Sequence, residues 1–142
     1  MTTHRVVLLA AAVALVVLAA CAPRVTALPL PEGAVFAASR EAVHQVIIDR
    51  LHEDGWVMTQ SDAAGGFIAA TQTVTVMERR GLLGSEAVRY TRRLSVTTSE
   101  VGNATRVLIQ GGSSTNADYN EHVVPTAFAV MEDLTREFGR VQ

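Results

Sequence analysis

The stretch FIAATQTVTVM, residues 67–77, and the stretch VRYTRRLSVTTS, residues 88–99, decide the fold class. The first is a long run rich in Thr, Val and Ile, side chains that suit a pleated surface. In the second, Val88, Tyr90, Leu94 and Val96 alternate with Arg89, Thr91, Arg93, Ser95 and Thr97. Alternation of this kind predicts an antiparallel strand with one buried and one wet face. Upstream, Trp56–Ser61 reads as a further strand, joined to the run at 67 through Asp62-Ala63-Ala64-Gly65-Gly66. Downstream, Gly102-Asn103 marks a turn into a fourth strand, Thr105–Gln110, which ends in a polar loop over Gly111–Asn116.

A helix is expected on either side of these strands. Ser39 can cap a helix running to about Asp54, with Glu41 in its first turn, Gly55 just past its end, and Val43, Val46, Ile47 and Leu51 at helical spacing. The second helix places Val124, Ala127, Phe128, Met131, Leu134 and Phe138 along one side, and Pro125 sets its start or kinks it. The order α-β-β-β-β-α predicts an α+β two-layer sandwich, a four-stranded antiparallel sheet with two helices on one face, as a single domain over 34–142. In its element order and Gly-rich strand connection this domain resembles the small α+β domains of envelope lipoproteins such as the outer-membrane assembly factor BamC.

The N-terminus reads as an address. Met1–Arg5 is polar with one positive charge, and Val6–Ala20 is an unbroken run of Val, Leu and Ala. At 1.5 Å per residue about 15 residues span roughly 22 Å, short of a hydrocarbon core of about 30 Å. A cleaved signal over 1–20 is therefore favoured over a permanent span. The next residues, Leu18-Ala19-Ala20-Cys21, resemble the lipobox of bacterial lipoproteins, matching all four positions. That resemblance implies diacylglycerol on the Cys21 thiol, cleavage before it, and a membrane attachment through acyl chains. The alternatives are an ordinary signal peptide cut elsewhere or an uncleaved anchor. Ala22, a non-acidic residue after the cysteine, implies forwarding to the outer membrane, facing the periplasm, if the source is a diderm. Residues 21–33 hold Pro23, Pro29 and Pro31 and are expected to form a stiff tether.

Composition bounds the function. The chain has 142 residues, one cysteine, 12 basic groups and a formal charge of −2, so an internal disulfide is impossible and nothing recruits nucleic acid. No phosphate-cradling glycine loop, HExxH pair or nucleophile elbow is present, so no catalytic residue, cofactor or metal is implied. His44 and His52, with Asp49, Glu53 and Asp54 nearby, read as solvated side chains because metal ligands on a helix use i, i+4 spacing. Trp56 reads as a core aromatic, and His122 with Glu121 as a solvated pair. A hydrolase assembled from His122, Ser113 and Asp118 is the remote alternative.

Two surfaces stand out. Arg79 and Arg80 precede Gly81-Leu82-Leu83-Gly84 at the turn between the two longest strands, where leucines give contact area and arginines charge. The helix-free sheet face would project Thr71, Thr73, Thr75, Arg89, Thr91, Arg93 and Thr97 together. The expectation is an envelope-anchored, non-catalytic interaction domain with an envelope protein partner. The alternative is a binding module for a small or polymeric ligand such as glycan or lipid.

Overall fold

The computed structural model describes residues 25–81 and 84–141. Strand β1 is Ala34–Phe36, helix α1 Arg40–Glu53, β2 Val57–Asp62, β3 Phe67–Arg79, β4 Ser85–Val101 and β5 Ala104–Gly112. A helical turn, Asn116–Asp118, and a π-helical turn, Tyr119–Val123, lead into helix α2, Val124–Phe138. The strands form one sheet in the order β1-β5-β4-β3-β2, all neighbours antiparallel. The α+β sheet with two helices is as expected, but the described sheet has five strands. The added strand, β1, pairs Ala34 with Val107 and Phe36 with Thr105 on the free edge of β5.

The core shows why both helices lie on one side. Along β3, β4 and β5 the buried positions are Ile68 and Ala70, Leu94 and Val96, and Val107 and Ile109. The register puts Ile68 opposite Val96 and Val96 opposite Ile109, so these side chains share one face. Val43, Ile47 and Leu51 of α1 and Ala127, Val130, Met131 and Leu134 of α2 complete the same cluster. Each fully buried side chain of this size contributes about 1.5–3 kcal/mol. Ser39 caps α1 by accepting from the Ala42 N–H at 3.3 Å, and Gly55 takes the left-handed φ of 76° that stops it.

Two expectations about α2 and the tether change. Phe128 is 51% exposed, and Val130 takes its place in the core. At 3.6 residues per turn Phe128 stands about 100° round the axis from Ala127, at the flank of the buried stripe. The described part of the expected tether, 25–33, is bound to the domain. Asn116 Nδ2 donates to the Val25 carbonyl at 3.0 Å, Asn120 Nδ2 donates to that of Thr26 at 2.8 Å, and the Leu28 N–H donates to Asn120 Oδ1 at 2.7 Å. Leu30 packs on the core. Two asparagine side chains thus satisfy a proline-broken segment whose backbone has no ladder of its own.

Candidate functional site

The longest strands outrun their neighbours. The last rung of β2 on β3 is Val57 with Thr71, and the last of β5 on β4 is Arg93 with Gly112. Beyond them, Gln72–Arg79 and Ser85–Arg92 pair only with each other, in unbroken register. They form a two-stranded arm. On its helix-free face Thr73 lies opposite Thr91, Thr75 opposite Arg89, Met77 opposite Ala87 and Arg79 opposite Ser85, and Thr71 opposite Arg93 continues the row into the sheet. The structure therefore brings Thr73, Arg89 and Arg93 onto one surface. Arg79 joins them by alternation, and Arg80 follows it at the exposed end of β3. Leu82 and Leu83 lie outside the described residues, as does Cys21.

On the arm, charge on this surface is one-sided. Among the described residues Arg79, Arg89, Arg93 and Arg106 make no ion pair, and all four alternate onto the helix-free face. The arm's two carboxylates are on the other face and engaged there: Glu86 pairs with Arg80 at 3.0 Å, and Glu78 accepts from the Tyr90 hydroxyl. That hydrogen bond from Tyr90 to Glu78 holds the phenol's pKa above its ordinary value. Small side chains leave a shallow depression of about 420 Å³ around Arg93, bordered by Ala69, Thr71, Ser95 and Gly112. A second, of about 310 Å³, lies between Arg93, Thr91, Ser113 and Ser114.

On the opposite face, sequence reasoning missed a buried polar cluster. Arg92 is 6% exposed and sits in the inward row between Tyr90 and Leu94. Its Nε donates to both Asp118 carboxylate oxygens, at 3.1 and 3.0 Å, and its Nη2 to Oδ1 at 2.7 Å. Its Nη1 donates to Gln72 Oε1 at 2.6 Å, and Gln72 Nε2 donates to the Asp54 carbonyl at 3.0 Å. The guanidinium thereby ties β4, β3, the end of α1 and the turn before α2 together. Hydrogen bonds from Arg92, then from Ser113, hold the Asp118 carboxyl below its ordinary pKa against the opposing effect of burial. The signal was the parity of residue 92 in β4, an inward slot filled by a charge.

Ser113, Asp118 and His122 do come together, in an order that assembles no activated serine. Ser113 Oγ donates to Asp118 Oδ2, and His122 Nε2 lies 3.9 Å from Asp118 Oδ1. Nucleophile activation needs the histidine between serine and carboxylate. Here the carboxylate is between them, committed to Arg92 and poor as a base. His122 and Glu121 line a cleft of about 370 Å³ with Trp56, Gln72 and Arg92. Trp56 is buried in the core cluster, as its sequence position suggested.

His44 departs from expectation: it is 5% exposed, not solvated, and its Nε2 lies 2.9 Å from Ser61 Oγ on β2. Burial lowers its pKa, opposed by the charge of Asp62. His52 is exposed at the far side of α1. Among the described residues no three His, Cys, Asp or Glu side chains gather as metal ligands, and no helix is long and apolar enough to cross a membrane.

No protein-family model matches the chain, and no curated protein matches it. Among solved structures, a DUF4468 family protein from Bacteroides ovatus ATCC 8483 is similar over 75% of this chain and 88% of that one. The two are 14% identical, with a TM-score of 0.40. Nothing about this chain's chemistry follows from a likeness at that level.

Proposed function

We propose that this chain is the precursor of an envelope lipoprotein, anchored through Cys21, whose folded part is a non-catalytic interaction domain serving assembly or maintenance of the envelope. The observation that carries the reading is the helix-free sheet face with its arm. Among the described residues four arginines project there without an ion pair, so the surface offers charge and hydrogen bonds that the fold does not consume. The sequence Leu18-Ala19-Ala20-Cys21 supports the anchor, and Val25, which Asn116 holds to the domain, follows the cysteine by four positions. If the source is a diderm, the non-acidic Ala22 after the cysteine favours the outer membrane, facing the periplasm.

A second reading has one observation in its favour. The depression beside Arg93, whose wall is mostly apolar and which Arg93, Thr71 and Ser95 border, suits a small or polymeric ligand that presents an apolar face together with a negative charge.

The anchor is tested by intact mass and by Cys21→Ser. The wild-type mature chain should begin at Cys21 and carry diacyl mass, while Cys21→Ser should persist as unlipidated precursor. A mature N-terminus elsewhere, or a wild-type Cys21 without acyl mass, removes the anchor. Photo-crosslinkers at positions 89 and 93 then read the interaction surface, with positions 132 and 136 on the outer side of α2 as the comparison.

A further inference from the structure

The arm and the point at which the chain enters the fold lie at the same end of the molecule. Ser114 Oγ accepts from the Thr91 N–H at 3.0 Å, at the root of the arm. Two residues on, Asn116 grips Val25, and Asn120 grips Thr26. The opposite end holds the C-terminal residues, where Arg140 bridges to Phe36 and the Val141 N–H donates to the Val35 carbonyl at 2.9 Å.

Lengths then limit how an anchored domain can sit. From Cys21 to Val25 is four residue steps, at most about 14 Å of extended chain. The arm, from Arg92 to Ser85, is seven residue steps and spans roughly 23 Å at about 3.3 Å per residue. A tether shorter than the arm cannot lift the arm's root clear of the bilayer and let the arm hang beneath it. It also leaves no room for the body of the sheet between root and membrane. The domain must lie over, with one face of the arm toward the headgroups.

Charge selects the face. The helix-free side of the arm presents Arg79 and Arg89, with Arg93 next in line, and each is four residues along the ladder from the one before, about 13 Å. Between the first two sits Met77, 65% exposed. The other side spends Arg80 on Glu86 and offers Glu78 to Tyr90. We propose that the helix-free face of the β3–β4 arm rests on the anionic lipid surface to which Cys21 anchors the chain, with Arg79, Arg89 and Arg93 at the headgroups and Met77 at the acyl boundary. This rests on the lipoprotein reading and adds to it the occupant of the arm. Few charges suffice, because attachment through Cys21 makes the contact intramolecular at an effective concentration in the millimolar range.

The test uses the mature lipoprotein reconstituted in two vesicle types, phosphatidylcholine alone and phosphatidylcholine mixed with phosphatidylglycerol. Hydrogen exchange is followed by mass spectrometry. Exchange over 73–80 and 84–91 should slow in the mixed vesicles only, return to the phosphatidylcholine rate in high salt, and leave α2 over 132–138 unchanged. Arg79→Gln and Arg89→Gln should each reduce the protection roughly fivefold, as expected for about one surface charge apiece. An acylated protein whose arm exchanges alike in both vesicles overturns the inference while leaving the anchor intact. So does an arm protected in native envelope fractions but in neither vesicle, which assigns it to a protein. Absence of acyl mass on Cys21, measured first, overturns the anchor reading and this inference with it.

Discussion

Arg92 fills an inward slot of β4 that alternation reserves for an apolar side chain, and Asp118 makes that tolerable. Both side chains are 7% exposed, so the pair carries the desolvation of two charges, offset by bidentate geometry and by Gln72 and Ser113. Removing one partner strands the other. Asp118→Asn should therefore cost about 3–5 kcal/mol near neutral pH, measured by urea unfolding. The pH dependence has a definite sign. The folded Asp118 carboxyl titrates below its ordinary value of 3.8, so the unfolded chain binds the proton first as pH falls. The stabilisation is complete above that value and is lost on acidification through the folded pKa. Asp118→Asn should flatten this acid limb, and parallel limbs in the two proteins would assign the acid sensitivity elsewhere. This pair was legible in principle from the odd parity of a charge in a hydrophobic row. Its partner was not, because Asp118 reaches it through a loop and two irregular turns that no periodicity describes.

At the scale of elements, the outcome depended on whether local chemistry or tertiary contact set the boundary. Ser39, Gly55 and the turn at 62–66 carry their own signals, and α1, β2 and β3 begin and end close to where those signals lie. Strand β1 carries none. Three residues between Pro31 and the cap of α1 become a strand only because the edge of β5 offers them hydrogen bonds. Helix α2 illustrates a smaller ambiguity, since Ala127 and Phe128 are adjacent apolar residues and either can start a stripe. The π-helical turn before it settles the phase by bringing Val123 against β5. That approach needs Gly111, where a Cβ would stand 2.6 Å from Val123 Cγ1. Leu134→Ala should cost about 2–5 kcal/mol through the cavity it opens. Phe128→Ala, on the exposed flank, should change stability by less than about 0.5 kcal/mol. Urea midpoints at constant slope decide it, and comparable losses at the two positions would contradict this helix phase.

At the scale of the whole molecule, the core and the arm are separate investments of sequence. All sixteen buried residues of the hydrophobic cluster lie outside 72–93, so the paired strands of the arm contribute none of it. A two-stranded ribbon is marginal by itself, and here it extends a sheet that is already complete at Thr71 and Arg93. Its composition keeps it soluble: Thr73, Thr75, Arg89 and Thr91 occupy one face, and Glu78 and Glu86 interrupt Val74, Val76 and Val88 on the other. The arm was visible in the sequence as two strands longer than their neighbours, but its projection was not, because that depends on where β2 and β5 stop. Replacing residues 75–89 with Asn-Gly would join Val74 to Tyr90, an opposed pair, through a two-residue hairpin turn. The shortened protein should keep its stability within about 1 kcal/mol, since it loses no core contact and closes a shorter loop. Thermal unfolding and acyl-dependent membrane attachment should be unchanged, whereas whatever the helix-free face binds should be released. A shortened chain that fails to fold would mean that the ribbon nucleates the sheet, and one that folds and keeps every contact would move the interaction surface from the arm to the sheet around Arg93.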